Sequence, residues 1–174
     1  MSLCTFCRIA INAMIYQCSK MKKDMTHLEI FMASDHAGVQ LRQSLASVLT
    51  DLGHIVHDLG PASDERVDYP DYGAALAKAM KSVPDARGVL VCGSGIGISI
   101  AANRFPWVRA ALCHDVTTAK LSRQHNNANV IAFGERLIGE TTAIEALEAF
   151  LSTEFEGGRH EGRVEKLSTI RAQD

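Results

Sequence analysis

The chain has 174 residues, 47% of them hydrophobic and 22% charged, with 18 Lys and Arg against 20 Asp and Glu for a formal net charge of −2. That length sustains one domain with a core of its own, and the charge balance argues against a general nucleic-acid or anionic-membrane binder, which carries a basic excess. Five cysteines, an odd number without framework spacing, imply free thiols in a reducing compartment, which fits a cytoplasmic protein.

Residues 1–26 differ in kind from the rest of the chain. Cys4 and Cys7 form an isolated C-x-x-C, and residues 9–16 are modestly apolar around Asn12. Arg8 inside this stretch and Lys20, Lys22 and Lys23 after it do not make a secretory signal, and no cleavage pattern is present. A zinc half-site with Cys18 and His27 matches no strong ligand spacing. The segment reads as an extension outside a single domain spanning 27–174, with Met25 a natural beginning for that domain.

Downstream, strand and helix patterns alternate. The run Leu28-Glu-Ile-Phe-Met-Ala33 predicts a first strand. Apolar residues at helical spacing (Val39, Leu41, Leu45, Val48, Leu49, Leu52) then predict a helix over 37–52, stopped by Gly53. A short strand at 54–58, a Gly60-Pro61 loop and a helix over 72–83 behind Pro70 come next. The remainder reads as strand 88–92, helix 97–104, strand 108–113, helix 116–125, strand 129–133, helix 140–152 and a polar, helix-compatible segment at 158–172. Five strands each followed by a helix imply an α/β fold, with a doubly wound, five-stranded parallel sheet between two helical layers. Such sheets bind ligands beyond the carboxyl ends of their strands, where strand order reverses. Ser34-Asp35-His36, Cys92 to Gly97, His114-Asp115 and Gly134-Glu135-Arg136 stand at those exits.

The segment Val89-Leu-Val-Cys-Gly-Ser-Gly-Ile-Gly-Ile-Ser-Ile-Ala-Ala-Asn103 carries the most chemistry. A buried-type strand stops at Cys92, passes through Gly93, Ser94, Gly95, Ile96 and Gly97, and becomes a helical pattern. Unpaired amides at such a turn hold an anion, helped by the helix dipole. A thiol beside them is held closer to its thiolate, a base or nucleophile near neutral pH. The glycines are expected to leave Cys92 open to a ligand, whereas Cys113, which also ends an apolar strand, reads as a packed hydrophobe. The loop also approaches the nucleotide fingerprint G-x-G-x-x-G, with Asp115 about twenty residues on. Against that, Ile98 stands where the third glycine belongs and the loop follows a middle strand. Asp115 also fits as a helix cap.

Asp35 is explained by N-capping alone. His36 in the first turn opposes the helix dipole and makes sense with an anionic ligand above it. Arg159 and Arg163, four residues apart, project from one face of a helix and suit a phosphate, although a solvated charged surface has the same spacing. His125 lies about ten residues along its helix, about 15 Å below the active edge. It is either structural or serves the site of a neighbouring subunit.

Taken together these residues resemble the type B ribose-5-phosphate isomerase family, which includes galactose-6-phosphate isomerase subunits. The matching pieces are Ser34-Asp-His-Ala-Gly38, Asp68-Tyr-Pro70, Cys92-Gly-Ser-Gly-Ile-Gly-Ile-Ser-Ile-Ala-Ala-Asn103, Leu121-Ser-Arg-Gln-His-Asn126, Asn129-Val-Ile-Ala-Phe-Gly134 and Glu156-Gly-Gly-Arg-His160. They run in order over roughly 28–170, leaving residues 1–26 outside. The resemblance implies a three-layer αβα, Rossmann- or flavodoxin-like sheet, no metal, no nucleotide cofactor, and a homodimer or dimer of dimers sharing its sites. It implies Cys92 as the base that moves a proton between carbons 2 and 1, the 93–97 amides as enediolate donors, and Ser94 as a hydroxyl relay. His125 from the second chain would open the sugar ring with help from Asp35, and Asn126 would contact the sugar. His36, Arg136, Arg159 and Arg163 would hold the phosphate. Some members replace the cysteine by a Glu base at the position of Ile98; here that carboxylate is missing and the thiol is present.

The leading expectation is therefore an aldose–ketose isomerase acting on ribose 5-phosphate and ribulose 5-phosphate. An isomerase of allose or galactose 6-phosphate needs only a deeper pocket. A nucleotide- or sugar-phosphate-binding module with an incidental thiol, and a non-catalytic partner subunit, are the remaining alternatives. The chain keeps both Cys92 and His125 to Asn126, which favours a self-sufficient homodimer over the last of these.

Overall fold

The computed structural model describes residues 27–83 and 85–170. The cysteines at 4, 7 and 18 and the proposed extension lie outside the described residues. Five strands, β1 (Glu29–Ser34), β2 (Ile55–Asp58), β3 (Arg87–Cys92), β4 (Ala110–Leu112) and β5 (Val130–Gly134), form one sheet whose pairings are all parallel. Their order is β2-β1-β3-β5-β4. The flavodoxin order is 2-1-3-4-5, so the last two strands are exchanged. The uniformly buried Val-Ile-Ala-Phe-Gly run of β5 takes the interior position, and the three-residue, half-buried β4 takes the edge.

The helices are α1 (Val39–Asp51), α2 (Tyr69–Met80), α3 (Ile96–Ala102), α4 (Val116–Asn126), α5 (Glu140–Ser152) and α6 (Glu161–Thr169). Short 3-10 turns at His36–Gly38 and Gly158–His160 precede α1 and α6. The period-2 alternation of each strand sorts its side chains between two cores. Ile30, Met32, Val89, Val91, Ile131 and Phe133 meet α1, α4 and α5 through residues such as Leu45, Ala119 and Phe150. Phe31, Ala33, Leu90, Cys92, Val130 and Ala132 meet α2 and α3 through Leu76, Met80, Ile98 and Ala102. This is the expected three-layer arrangement. Both faces of the sheet are covered, and every βα exit opens on one edge.

The predicted elements are present with shifted ends. The second helix starts at Tyr69, with Pro70 inside its first turn rather than ahead of it. The predicted strand 108–113 keeps only Ala110–Leu112 paired, as an edge position allows. The polar tail from 158 is helical over Glu161–Thr169, and that helix has no buried residue, whereas His160 just before it is buried. No helix among the described residues is long and apolar enough to cross a membrane.

Candidate active site

Register brings three exits together. Ser34 pairs with Val91 and Cys92 with Gly134, so Asp35, Gly93 and Glu135 leave neighbouring strands spaced about 4.8 Å apart. The exits then bond to one another. The Asp35 amide donates to Val91 O at 3.2 Å, that of Glu135 to Cys92 O at 3.0 Å, and that of Arg136 to Gly93 O at 3.1 Å. The glycine loop is thereby clamped along its carbonyl side. Gly134 permits this approach, because a β-carbon there would lie 2.7 Å from the carbonyl carbon and oxygen of Ser94.

Cys92 Sγ accepts the amide of Gly95 at 3.0 Å, and Gly95 makes that bend at φ +76°. Ser94 Oγ is 3.4 Å from the Ile96 amide, and the Tyr69 ring lies against Gly97. The open thiol expected from the sequence is not what the fold provides: Cys92 is only 4% exposed. The cause is strand parity. Residue 92 shares the face of Leu90, beneath α2 and α3, so the loop folds over the sulfur instead of leaving it bare. Ile98 is wholly buried in the same core, and no carboxylate takes the place of the thiol.

Around this loop, Asp35 caps the 3-10 turn through the Ala37 amide at 2.9 Å. His36 Nδ1 lies 3.1 Å from Val67 O and 3.3 Å from Val67 N, which leaves Nε2 as the free ring nitrogen. The first turn of α1 receives the Glu135 carboxylate on its Leu41 amide at 3.0 Å. Arg136 runs alongside Gly93, as a β-carbon on that glycine would sit 3.5 Å from the guanidinium carbon. Buried Arg42 ties the β1 exit to the next loop, donating to Ser34 Oγ and to Pro61 O, each at 2.8 Å. Asp115 caps α4 through Thr118 N at 2.8 Å, the structural role open to it in the sequence. Cys113 is packed away, and burial pushes its thiol up to about 11.

The remaining predicted residues gather elsewhere. α4 descends from the active edge, so His125 and Asn126 in its last turn reach the opposite end of the sheet. Asn126 there lines a groove of about 320 Å³ with Arg109, Ala128 and Leu167. His125 stacks on His160 with ring centroids 4.5 Å apart and planes 7° apart, and its Nε2 is 3.9 Å from a Glu156 oxygen. Arg159 Nε donates to His160 Nε2 at 3.2 Å. Burial, then His125, Arg159 and Arg163, pull the proton affinity of His160 below the usual imidazole range, against Glu156. The predicted set thus divides in two. Asp35, His36, residues 92–97 and Arg136 stand at one end; His125, Asn126, Arg159 and Arg163 belong to the other. Sequence reasoning assigns no role to His160 or Glu156, although both fall within a matching motif, because ring stacking between 125 and 160 leaves no periodic signal.

His125, Glu156 and His160 also place one nitrogen or oxygen each within 4.8 Å of one another, close enough to suggest a metal site. Arg159 occupies the lone pair of His160 Nε2 and, with Arg163, adds positive charge. That surrounding fits an anion better than a cation. A larger groove of about 620 Å³ lies near Arg87, Trp107, Arg109, Asn127 and Asn129, away from the Cys92 loop. Its arginines bond backbone carbonyls, Arg87 to Asp85 O and Arg109 to Asn127 O, both at 2.8 Å.

Comparison with known proteins gives a consistent relationship. A family model described as Ribose/Galactose Isomerase matches residues 30–167. The chain is 43% identical over 142 residues to ribose-5-phosphate isomerase B of Escherichia coli (strain K12), covering 82% of this chain and 95% of that protein. The solved ribose 5-phosphate isomerase B of Anaplasma phagocytophilum is 50% identical with a TM-score of 0.78, over 83% of this chain and 99% of that one. The enzyme of Mycoplasma genitalium, solved with bound ribulose-5-phosphate, is 39% identical with a TM-score of 0.80, over 83% of this chain and 97% of that one. With the matched model spanning every strand from Ile30 onward and the Cys92 loop, the chain belongs to the ribose/galactose isomerase family.

Proposed function

We propose that this protein is an aldose–ketose isomerase that interconverts ribose 5-phosphate and ribulose 5-phosphate, as a cytoplasmic homodimer or dimer of dimers. The observation that carries the reading is the Cys92 thiol. It ends β3 under a turn of amides, bonded by the Gly95 N–H, with a buried Ile98 where a carboxylate base would otherwise stand. Relatives named ribose-5-phosphate isomerase B support the substrate.

In this reading His125 and Asp35 open the furanose, removing the proton from the anomeric hydroxyl and returning one to the ring oxygen. Cys92 as thiolate then takes the proton from carbon 2, and the electron pair forms the carbon 1–carbon 2 double bond of an enediolate. Amides of 93–97 act as preorganised donors to the negative oxygen. Ser94 passes a proton between the two oxygens, and Cys92 returns its proton to carbon 1. His36, Arg136, Arg159 and Arg163 hold the phosphate, and Asn126 contacts the sugar. Binding at the phosphate fixes the reacting carbons over the thiol.

Placing His125 at the far end of the sheet supports a site completed by a second copy, which brings His125, Asn126, Arg159 and Arg163 to the Cys92 loop of its neighbour. Cys92→Ala is expected to abolish turnover of ribose 5-phosphate in a coupled assay while still binding the sugar phosphate. Unchanged turnover rules the thiol out as base. Mixing Cys92→Ala with His125→Asn tests the shared site. If subunits exchange freely, heterodimers regain one intact site and the mixture recovers about a quarter of the unaltered activity. A mixture as inactive as its components rejects the two-chain site.

A further inference from the structure

His125 is held by a neighbour whose own chemistry is passive. The His160 ring lies face to face with it, at 4.5 Å and 7°, and only 6% of His160 is exposed. Arg159 donates to His160 Nε2, so that nitrogen is an acceptor and the ring's proton sits on Nδ1. A second proton on His160 would face Arg159, Arg163 and the stacked His125, with only Glu156 to favour it. His125 is half exposed at the end of α4, and its Nε2 stands 3.9 Å from a Glu156 oxygen, too long for a hydrogen bond. Among these contacts, the stack is what fixes the plane of the His125 ring. The Glu156 amide, donating to Gln124 O at 3.1 Å, anchors the segment that carries His160 to the end of α4.

We propose that His160 is a positioning residue: its neutral ring is the platform that keeps the His125 imidazole aimed at the furanose during ring opening. This rests on the ring-opening role proposed for His125. Acid–base transfer demands one imidazole nitrogen within hydrogen-bond reach of the sugar oxygens. A ring free to turn about its last side-chain torsion spends little time there. A platform that also titrated would change its repulsion of His125 at the moment a proton moves; one kept neutral does not.

The two halves of the reaction separate the alternatives. Ribose 5-phosphate is a closed furanose and needs opening. Ribulose 5-phosphate is open, because its O5 carries the phosphate and cannot close on carbon 2. Exchange of its carbon 1 hydrogen with deuterated solvent, followed by NMR, therefore needs proton abstraction but no ring chemistry. His160→Ala is expected to lose about 10²-fold in ribose 5-phosphate turnover while keeping exchange within about threefold of the unaltered protein. His160→Phe, which restores a stacked ring that cannot titrate, should recover most of the loss. If His160→Ala fails to fold, His160→Gln replaces it, keeping an acceptor for Arg159 without a ring.

Equal loss of turnover and exchange, or a Phe variant no better than the ringless one, overturns the positioning role. His125→Asn run alongside tests the reading beneath it. Normal ribose 5-phosphate turnover in that variant removes the ring-opening role itself, whereas loss there beside a normal His160→Ala refutes only the platform.

Discussion

Replacing Gly95 by alanine puts a methyl group where the fold has no room for one. At φ +76° the residue sits in the left-handed region, which costs a residue with a β-carbon about 1–2 kcal/mol. The added carbon would run into Leu112 Cδ1 and lie 2.9 Å from the carbonyl carbon and oxygen of Phe133. Leu112 is half-buried at the sheet edge and can rotate. Phe133 is wholly buried in an interior strand paired on both sides, and its backbone cannot move, so the loop must. Overpacking of this kind adds about 1–3 kcal/mol, for a total near 2–5 kcal/mol of lost stability. The same shift withdraws the amide that Cys92 Sγ accepts at 3.0 Å. A hydrogen bond to a charged acceptor is worth about 1.5–3 kcal/mol, or about 10- to 100-fold in rate. Urea unfolding reads the first quantity and kcat/KM for ribose 5-phosphate the second, with KM little changed. A variant that loses the stability but keeps full turnover would refute the argument, since the displaced amide would then have no part in the chemistry.

Three other outcomes rest on buried groups. Arg42→Ala strips the buried Ser34 hydroxyl and Pro61 carbonyl of their 2.8 Å donor and leaves half-exposed Asp58 without its partner, and should lower the unfolding free energy by about 2–6 kcal/mol in chemical denaturation. Burial, with His27 beside His54 and with His125, Arg159 and Arg163 beside His160, lowers the proton affinity of both imidazoles in the folded state. The unfolded chain then binds more protons as pH falls below 6.5, so Tm should fall from pH 7 toward 5, with a smaller slope in His160→Phe; a flat Tm contradicts it. Cys113, pushed up to about 11, should resist iodoacetamide at pH 8 until the protein unfolds, which mass spectrometry of the modified peptides will show.

Much of the framework was legible because it is periodic. Alternation along 28–33 and 88–92 sorts residues to two cores, and helical spacing over 37–52 places Leu41, Leu45 and Leu49 on one of them. The exits that bear Asp35, Cys92 and Arg136 follow from the parallel sheet alone. The strand exchange was not legible, since β4 and β5 differ only in length and in how completely their neighbours cover them. The burial of Cys92 was available in principle, because its parity with Leu90 puts it under α2 and α3, but the surrounding glycines suggested an open mouth. The pairing of His125 with His160 was beyond reach: 35 positions separate them, and the contact depends on how the segment after α5 returns to the end of α4.

That return path bears on whether one chain can act alone. α4 is a single helix whose first residue follows the Asp115 cap at the active edge and whose last turn carries His125. Ten residues of helical rise are about 15 Å, and a packed helix does not bend through that distance. Ala119 and Ser122 are buried along its length, and Arg123 donates to Ala128 O and Asn127 Oδ1, fixing its lower end. A ring-opening role for His125 and turnover by an isolated chain are therefore incompatible. Dilution decides between them. Activity per chain that falls when light scattering reports monomers, and returns on concentration, agrees with a shared site. Constant activity per chain through dissociation removes His125 from the reaction and leaves Asp35, at the strand exit next to that of Cys92, to open the ring.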